Sequence, residues 1–558
     1  MLHLEGPLLS VDVGSRDATT ESIDGVLSEY IGGRGVATKL AHDRIPFDAD
    51  PLGAQNRLYV TPGPLQQAQT SFTGRMNMTG LSPLTDGLLS ANAGGYVSRN
   101  FIGTGNAGLE IVGESEELLF IHVTDDGVEF EEVPELEGAL VPDVTEYAEA
   151  HHDLAAEPLI AIGPAGENEV RYACPMTYES RAFGRGGLGA VMGAKNVKAI
   201  SFTGDHEPEQ QLDEEVEMAI HQRAATSDDG MRDQGTAGGT EMINDLFSLP
   251  TRYYADMTFE HAADIGGDAV EAKKYKKGAC SMCAFACKLP TRDEKTGLET
   301  EGPEFETIYA FGSSCGVGDL VDVMQSNELC DNLGMDTISC GVSIAAYLDS
   351  EDEFGNAALV HELVEQIAHR EGVGDLLAEG VDRIHEELGV ENWTVKGMEF
   401  AAHDGRVLNG QGLSYAVANR GADHLYSALM GREYAGDMDP EGVTGKSAAL
   451  IEEENQSGFR DSGIVCAFAS SHVEDEEIEA LFDAKYDDLM DVGAKTVELE
   501  RHFNNQRGMD IAQDTLPYAD MFDDLEDEIR DYYALRGWNE DGTVPGDAVG
   551  SDSPMAAD

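Results

Sequence analysis

The sequence predicts an α+β fold in which a β-rich N-terminal domain precedes two mainly helical domains. Residues 1–203 contain short alternating apolar runs bounded by turn residues, such as RLYVTPG and VKAISFTG, which are typical of strands. Beyond an acidic linker at 204–215, apolar residues recur at three- and four-residue spacing, as in amphipathic helices. A chain of 558 residues is too long for one core. We therefore expect domains at 1–203, 204–400 and 401–558.

The N-terminal region contains two G-x-G-x-x-G matches, at 103–108 and 184–189. A dinucleotide-binding fingerprint needs a strand before the glycines and a helix after them. Both matches instead run into apparent strands, LEIVG and VKAISFTG. The sequence therefore disfavours a dinucleotide-binding fold.

Beyond the linker, helical periodicity recurs, and glycine closes several of the periodic segments, as expected at helix C-termini. These segments are 215–227, 319–334, 342–350, 357–372 and 373–389. After residue 400 the pattern mixes loops with helices.

The charge of the chain is strongly negative and evenly spread. Asp and Glu number 106 against 36 Lys and Arg, which gives a net charge of −70, and only 13 of the basic residues are Lys. A dispersed carboxylate surface keeps a protein hydrated in concentrated salt, where the Debye length falls to about 3 Å at 1 M. The composition therefore indicates a salt-loving cytoplasm. It disfavours nucleic-acid binding, which requires a basic face.

Neither export nor membrane insertion is indicated. The N-terminal residues MLHLEGPLLSVDVGSRD lack the basic region and apolar run of a secretory signal, and no apolar stretch approaches the roughly 18 residues of a membrane span. Eight cysteines in such a chain favour reduced thiols and metal ligation over disulfides. We expect a cytoplasmic protein with no membrane partner.

Three cysteines form a C-x₂-C-x₃-C motif at Cys280, Cys283 and Cys287. Three thiolates cannot complete a tetrahedral metal site or a cubane iron–sulfur cluster, so a fourth ligand must come from elsewhere, and Cys466 is the candidate. No second close pair of Cys or His follows, so we favour an iron–sulfur cluster over zinc or over buried structural thiols. Thiols that behave as small buried apolar groups are expected at the other cysteines, which are Cys174, Cys315, Cys330 and Cys340.

A glycine-dense segment at 181–200 is a second candidate binding element, together with Arg75, Asn77 and residues 90–95. Glycine lets backbone groups approach an extended ligand, and arginine binds phosphates through pairs of parallel hydrogen bonds. No G-K-[ST] follows, so the segment is not a nucleotide P-loop. Tight turn packing is the alternative interpretation.

Several long motifs occur in an order that covers essentially the whole chain. They are GRGGLGAVMGAKNVKAI, the cysteine motif, GPEFET, NELCDNLGMDTIS, ANRGADH, DSGIVC, DTLP and YYALRGW. Together they resemble the tungsten-containing aldehyde:ferredoxin oxidoreductase family, in a haloarchaeal-type member. The resemblance implies oxidation of an aldehyde to a carboxylic acid, with water as the oxygen source and ferredoxin as the electron acceptor.

The resemblance also implies cofactors and their binding residues. It implies a bis-molybdopterin cofactor that holds tungsten or molybdenum above the β-rich domain, one [4Fe–4S] cluster, and Mg²⁺ bridging the pterin phosphates. The implied pterin-binding residues are Arg75, Asn92, Gly94, Arg181, Ala182, Gly184, Asp331 and Asp461. The second aspartate motif departs from the family pattern D-x-x-G-[LI]-[CD], because its glycine, Gly463, comes one position early.

Glu306 and His424 occupy positions that resemble the family's substrate-pocket pair. A carboxylate near a dry metal centre can act as a base toward water, and an imidazole can exchange a proton near neutral pH. Glu304 and Glu306 alternate on an apparently extended segment. The alternatives are therefore a solvated glutamate and a satisfied core histidine.

The expected oligomer is a homodimer. Some family members bridge two subunits with a single iron held by Glu and His. Gln325 stands where that glutamate is expected, so the sequence disfavours a bridging iron.

Lysines cluster around the cysteine motif. Five of the 13 lysines lie there, namely Lys273, Lys274, Lys276, Lys277 and Lys288. They would either compensate the charge of an anionic cluster or form a docking patch for an acidic ferredoxin.

Other functions compete with this interpretation. Another tungstopterin enzyme of the superfamily, such as an aromatic acyl-CoA reductase-type subunit, would share the cofactor motifs. A non-catalytic electron-transfer subunit would carry the cluster without the metal–pterin, but the glycine-dense segment and the paired aspartates argue against it. A zinc-stabilised scaffold is the most distant alternative.

Overall fold

The structure is a computed structural model that describes residues 1–208 and 212–546. Part of the expected linker, 209–211, lies outside the described residues. Within them, β1–β12 all lie before residue 203 and helices dominate the rest, so the predicted α+β class is confirmed.

The strands are β1 Leu8–Asp12, β2 Asp17–Glu21, β3 Leu58–Thr61, β4 Arg75–Leu81, β5 Leu88–Gly94, β6 Gly108–Val112, β7 Leu119–Val123, β8 Val128–Glu132, β9 Leu159–Ala161, β10 Met176–Thr177, β11 Arg181–Ala182, β12 Val197–Phe202, β13 Thr291–Arg292, β14 Glu299–Thr300, β15 Thr394–Val395 and β16 Met398–Glu399. The helices are α1 Asp24–Tyr30, α2 Gly33–Arg44, α3 Val97–Ile102, α4 Val141–His152, α5 Pro164–Glu167, α6 Leu188–Ala194, α7 Glu214–Thr226, α8 Met231–Gln234, α9 Thr240–Asp245, α10 Ala262–Ile265, α11 Gly267–Lys273, α12 Phe305–Thr307, α13 Leu320–Leu333, α14 Thr337–Glu351, α15 Ala357–His369, α16 Gly374–Leu377, α17 Val381–Leu388, α18 Asn409–Val417, α19 Leu429–Ala435, α20 Ser447–Gly463, α21 Asp475–Phe482, α22 Tyr486–Gln506 and α23 Leu525–Arg536.

Two six-stranded sheets form the N-terminal region. Their strand orders are β2-β1-β6-β3-β4-β5 and β11-β10-β9-β12-β7-β8. The β1–β6 and β7–β12 pairs are parallel, and the other neighbours are antiparallel. Apolar side chains from both sheets, such as Val60 and Ile200, share one buried core, so the two sheets pack against each other.

The second G-x-G-x-x-G match differs from the prediction. The first runs into strand β6 as expected, but the second leads into helix α6 before strand β12 begins. The strand that precedes it, β11, pairs antiparallel with β10, whereas a dinucleotide fold needs a parallel βαβ unit. The segment therefore still does not form a dinucleotide site.

Helices α20 and α22 bring the C-terminal part against the N-terminal region. They cross closely because an added Cβ on Gly493 would lie only 1.8 Å from the carbonyl oxygen of Asn455. On α2, buried Arg34 forms a two-pronged ion pair with Glu500 of α22, at 2.7 and 2.8 Å. The end of α20 is thereby held beside strands β4 and β5.

The middle and C-terminal parts share a continuous apolar core. One buried cluster contains residues from α13–α15, α18 and α23. The division at residue 400 stays a prediction, because no gap in this core marks it. In the part of the chain that the structure describes, no helix is long and apolar enough to cross a membrane.

Candidate redox site

The loop that carries the first three cysteines folds back on itself. Gly278 and Lys288 form an antiparallel bridge at its base, with N–O distances of 2.9 and 3.2 Å. Met282 and Ala286, which precede the second and third cysteines, have left-handed φ angles of 59° and 50°. These two residues turn the backbone sharply, so the three thiols lie on one compact loop.

Cys466 reaches this loop from the C-terminal part of the chain. It follows α20, and its amide donates a hydrogen bond of 2.8 Å to the carbonyl oxygen of Phe72. Burial, with a smaller contribution from negative charge on Cys466 and Cys280, raises the pKa of Cys283 and raises the pKa of Cys287 to about 12. Four half-buried thiols therefore lie near one another, and holding them as thiolates requires a positively charged centre.

The spacing of these sulfur atoms bears on the metal. Four thiolates on one zinc ion, with Zn–S bonds of about 2.3 Å, would lie about 3.8 Å apart. Among residues 1–208 and 212–546, no three cysteine sulfurs lie within 4.8 Å of one another. The wider spacing favours a cubane cluster over a single zinc ion.

The loop rests on the end of strand β5. The amide of Ser281 donates to the carbonyl oxygen of Gly95 at 2.9 Å. An added Cβ on Gly94 would lie 2.8 Å from the sulfur of Cys280, so only glycine fits there. Arg75 on β4 pairs directly with Gly94 in the sheet. Two predicted pterin-binding positions therefore adjoin the predicted cluster ligands.

A polar network connects the sheet with the end of α20. Asn92 donates to Asp461 Oδ1 at 2.6 Å, and Arg34 Nη1 lies 3.3 Å from Asp461 Oδ2. Arg75 Nη1 donates to the sulfur of Cys466 at 3.7 Å. Arg75 therefore touches a predicted cluster ligand, and it is itself one of the predicted pterin-binding residues.

The two predicted pterin aspartates occupy matching places at helix C-termini. Asp331 lies on α13, which ends at Gly334 with a left-handed φ of 78°. Asp461 lies on α20, and Ile464 takes the equivalent left-handed position with a φ of 59°. Burial raises the pKa of both aspartates, well above the usual value for Asp331.

The early glycine in the second motif has a packing reason. An added Cβ on Gly463 would lie 2.6 Å from the ring of Phe482. Ile464 therefore adopts the left-handed backbone conformation at the end of the helix, and this conformation is strained for a β-branched residue. The loop geometry nevertheless matches that after α13.

The glycine-dense segment serves two purposes. Arg181 and Ala182 form β11, and Arg181 makes an ion pair with Glu301. An added Cβ on Gly187 would lie 2.0 Å from a backbone oxygen, so this glycine is needed for packing. An added Cβ on Gly184 would meet nothing within 4 Å, which leaves space for a ligand to approach the backbone.

Several buried arginine nitrogens in this region have no hydrogen-bond partner in the described part of the chain. They include the Nε atoms of Arg75, Arg99, Arg181 and Arg420, and Nη1 of Arg181, which has only its ion pair with Glu301. Buried polar groups are normally paired, so unpaired cationic donors indicate an anionic ligand that belongs beside them. The residues present therefore fit a phosphate-bearing, sulfur-ligated cofactor.

The predicted catalytic glutamate lies on a helix and not on an extended segment. Glu304 precedes α12 in an extended conformation, and Glu306 lies within α12, which continues into a π-helix at Ile308–Ser313. π-Helical turns are frequent at functional sites. The alternation expected for Glu304 and Glu306 was therefore wrong.

Glu306 meets His424 in a buried pocket. Ala402 donates its amide to Glu306 Oε2 at 2.9 Å, and His424 Nε2 lies 3.4 Å from Glu306 Oε1. Glu306 Oε1 and His424 Nδ1 are buried without hydrogen-bond partners among the described residues. Burial raises the pKa of Glu306. The pair therefore has free polar atoms and a carboxyl group poised to exchange a proton.

His403 is a third member that sequence reasoning missed. Its Nε2 lies 3.6 Å from Glu306 Oε1, and its Nδ1 lies 3.1 Å from the hydroxyl of Tyr434. Burial, and after it the charge of neighbouring His424, lowers the pKa of His403 well below its usual value. No motif surrounds His403 in AAHDG, so the sequence carries no signal for it.

These features define a class of protein. Four half-buried thiols, an arginine at the end of a β-sheet and a buried carboxylate–imidazole pair draw on both the N-terminal and the C-terminal parts of the chain. This combination of groups is the one expected of a cofactor-dependent oxidoreductase.

Comparison with known proteins then gives the family. Sequence models of the aldehyde ferredoxin oxidoreductase family match residues 8–204, as the N-terminal domain, and residues 211–549, as domains 2 and 3. The chain belongs to the aldehyde ferredoxin oxidoreductase family.

Individual relatives are similar in sequence to this chain over nearly its whole length. The chain is 32% identical to a tungsten-containing aldehyde ferredoxin oxidoreductase of Thermococcus kodakarensis and 31% identical to one of Pyrococcus furiosus, with 97% of each chain covered in both comparisons. The solved structure titled active site complex BamBC of benzoyl coenzyme A reductase, in complex with 1,5-dienoyl-CoA, superposes with a TM-score of 0.79. It is 20% identical and covers 96% of this chain and 95% of that one, so this likeness shows the fold alone.

Family membership implies a tungsten bis-pterin cofactor and one [4Fe–4S] cluster. The chain is therefore a tungstopterin oxidoreductase. When bound, the metal–pterin supplies two-electron redox chemistry and the cluster supplies one-electron transfer.

Proposed function

We propose that this protein oxidises aldehydes to carboxylic acids, with water as the oxygen source and ferredoxin as the electron acceptor. The buried Glu306–His424 pair carries the proposal, because it places an acid–base group away from solvent, where the charge of Arg185 from the glycine-dense segment acts on Glu306. The names of the relatives in Thermococcus and Pyrococcus support the same reaction. The oxidation releases two electrons and two protons for each aldehyde converted.

We assign the protons to the pocket residues. Glu306, held by the amide of Ala402, would accept a proton from water or from the hydrated aldehyde. His424 would receive it through Nε2 and could orient the substrate through its free Nδ1. His403 and the hydroxyl of Tyr434 would continue the path away from Glu306.

We assign binding of the pterins to the cradle and binding of the cluster to the four cysteines. Arg75, Asn92 and Gly94 would hold the first pterin edge, and Asp461 would accept its N–H groups. The other proposed contacts are those of Arg181, Ala182, Gly184 and Asp331. The cluster ligands would be Cys280, Cys283, Cys287 and Cys466.

Elemental analysis and a substrate assay test the proposal. Anaerobically purified protein should contain about one W or Mo and about four Fe per chain. It should reduce a viologen dye when given an aldehyde. Iron without W or Mo would refute the cofactor assignment. A loaded protein that reduces an aromatic acyl thioester but ignores aldehydes would refute the reaction.

The lysines around the cysteine motif differ in their ion pairs and in their exposure to solvent. Lys273 pairs with Asp293 at 2.7 Å, and Lys288 lies 3.1 Å from Glu301. Lys276 and Lys277 are exposed, although Lys277 lies 3.3 Å from Asp233. We therefore place the ferredoxin contact on Lys276 and Lys277.

Changing Lys276 and Lys277 to Gln should raise the KM for ferredoxin and leave turnover with a small neutral dye level. Long-range steering is weak in concentrated salt, so the lysines can act only through short contacts. Lys495→Gln, which removes an exposed lysine paired with Glu29, is the matched control and should change neither value. A parallel fall of both activities would show that the lysines support the cluster itself.

A further inference from the structure

Two histidines and a glutamate converge on the second sheet, outside the redox site. His122 lies on β7, Glu131 on β8, and His152 ends α4. Glu131 Oε2 lies 3.1 Å from His122 Nε2 and 2.9 Å from His152 Nε2. We propose that these three side chains bind a divalent transition-metal ion of the Zn²⁺ type, independently of the tungsten and iron–sulfur cofactors.

The ligand atoms are close to the spacing that such an ion requires. Zinc bonds to imidazole nitrogen and carboxylate oxygen are about 2.0–2.2 Å, so adjacent atoms of a tetrahedral site lie about 3.3 Å apart. The two measured separations are within a few tenths of an ångström of that value, and all three atoms lie within 4.8 Å of one another. Two imidazoles and one carboxylate form a donor set that zinc commonly uses.

Surrounding hydrogen bonds orient the ligands. With hydrogen on its Nδ1, His122 donates to the hydroxyl of Ser201 at 2.9 Å, which leaves the Nε2 lone pair for an ion. The hydroxyl of Tyr147 donates to Glu131 Oε1 at 2.8 Å, which leaves Oε2 for the same ion. Outer partners of this kind are a regular feature of metal sites, where they fix the orientation of the ligands.

The position also permits an ion to enter. The side chains of His122, Glu131 and His152 are 11%, 30% and 29% exposed, so water can reach the group and supply a fourth ligand. Glu135 lies nearby, with its Oε1 3.2 Å from the hydroxyl oxygen of Tyr147, and adds negative charge. A bound ion would fasten the last turn of α4 to β7 and to the edge strand β8.

The chain offers variants that separate a metal site from a hydrogen-bonded cluster. The holoenzyme would be freed of loosely bound ions and titrated with Zn(II) by calorimetry, with Zn, W and Fe measured in the same sample. The wild type should bind one Zn(II) per chain tightly. His152→Asn and Glu131→Gln should each weaken binding by more than about 100-fold, and Ser201→Ala, which keeps all three ligands, by about 10–100-fold.

The control is His151→Asn, which alters the neighbouring exposed histidine and should leave Zn(II) affinity unchanged. Unchanged W and Fe contents would show that each variant is folded and loaded. Equal Zn(II) affinity in the wild type and in both His152→Asn and Glu131→Gln would overturn the proposal. So would a wild type that binds no Zn(II) at micromolar concentration.

Discussion

Replacing Cys466 by Ala should remove the visible absorption of the four-iron cluster or convert the cluster to a three-iron form. The loop with the first three cysteines cannot complete a cubane, and Cys466 is held next to it by its hydrogen bond to Phe72. The iron content should fall from about four to about three or fewer per chain. Ferredoxin reduction should be lost, because the proposed electron path to ferredoxin runs through the cluster.

Iron analysis, visible absorption and electron paramagnetic resonance would measure this effect. Cys315→Ala is the matched control, since Cys315 is fully buried and its sulfur contacts the carbonyl oxygens of Ala310 and Gly341. This variant should keep the four-iron signal. An intact four-iron signal in Cys466→Ala would refute the assignment and require another fourth ligand.

The fold class was predictable because its signals are local. Helix α13 ends at Gly334 in the left-handed conformation, as the glycine in NELCDNLG indicates. The segment 373–389 was less predictable, because Gly380 breaks it into α16 and α17 with a φ of 83°. Helix α12 was missed, because its first amide is capped by the hydroxyl of Thr236 at 2.9 Å, a partner far away in the sequence.

The residues of the candidate site were predictable only where they belong to a recognisable sequence motif. The cysteine motif and the family-like aspartates are visible in the sequence, but their meeting with Arg75 depends on the packing of α20 and α22 against α2. His403 has no surrounding motif, and its role follows only from its distance of 3.6 Å to Glu306. The early Gly463 is explained by the ring of Phe482, which no local pattern reveals.

Replacing Glu306 by Gln should lower kcat by about 10²–10⁴ while W and Fe contents stay unchanged. The side-chain oxygen of the introduced glutamine can still accept the hydrogen bond from the amide of Ala402, but the side chain cannot take a proton from water or substrate. His424→Asn should have a similar effect, and His403→Asn should cause a smaller loss because His403 lies farther from Glu306 Oε1. Single-turnover rates with an aldehyde would measure the step directly.

The pH profile distinguishes a base from a structural carboxylate. The proposed role as a base requires Glu306 in its ionised form, and burial raises its pKa. Wild-type kcat should therefore fall as the pH falls through this raised pKa, and the acid limb should be absent from the residual activity of Glu306→Gln.

Glu304→Gln, which changes the neighbouring carboxylate outside the histidine pocket, should keep the wild-type profile with a dye acceptor. Loss of tungsten in Glu306→Gln would instead show a structural role. Unchanged turnover would remove Glu306 from the catalytic residues and leave His424 without its proton donor.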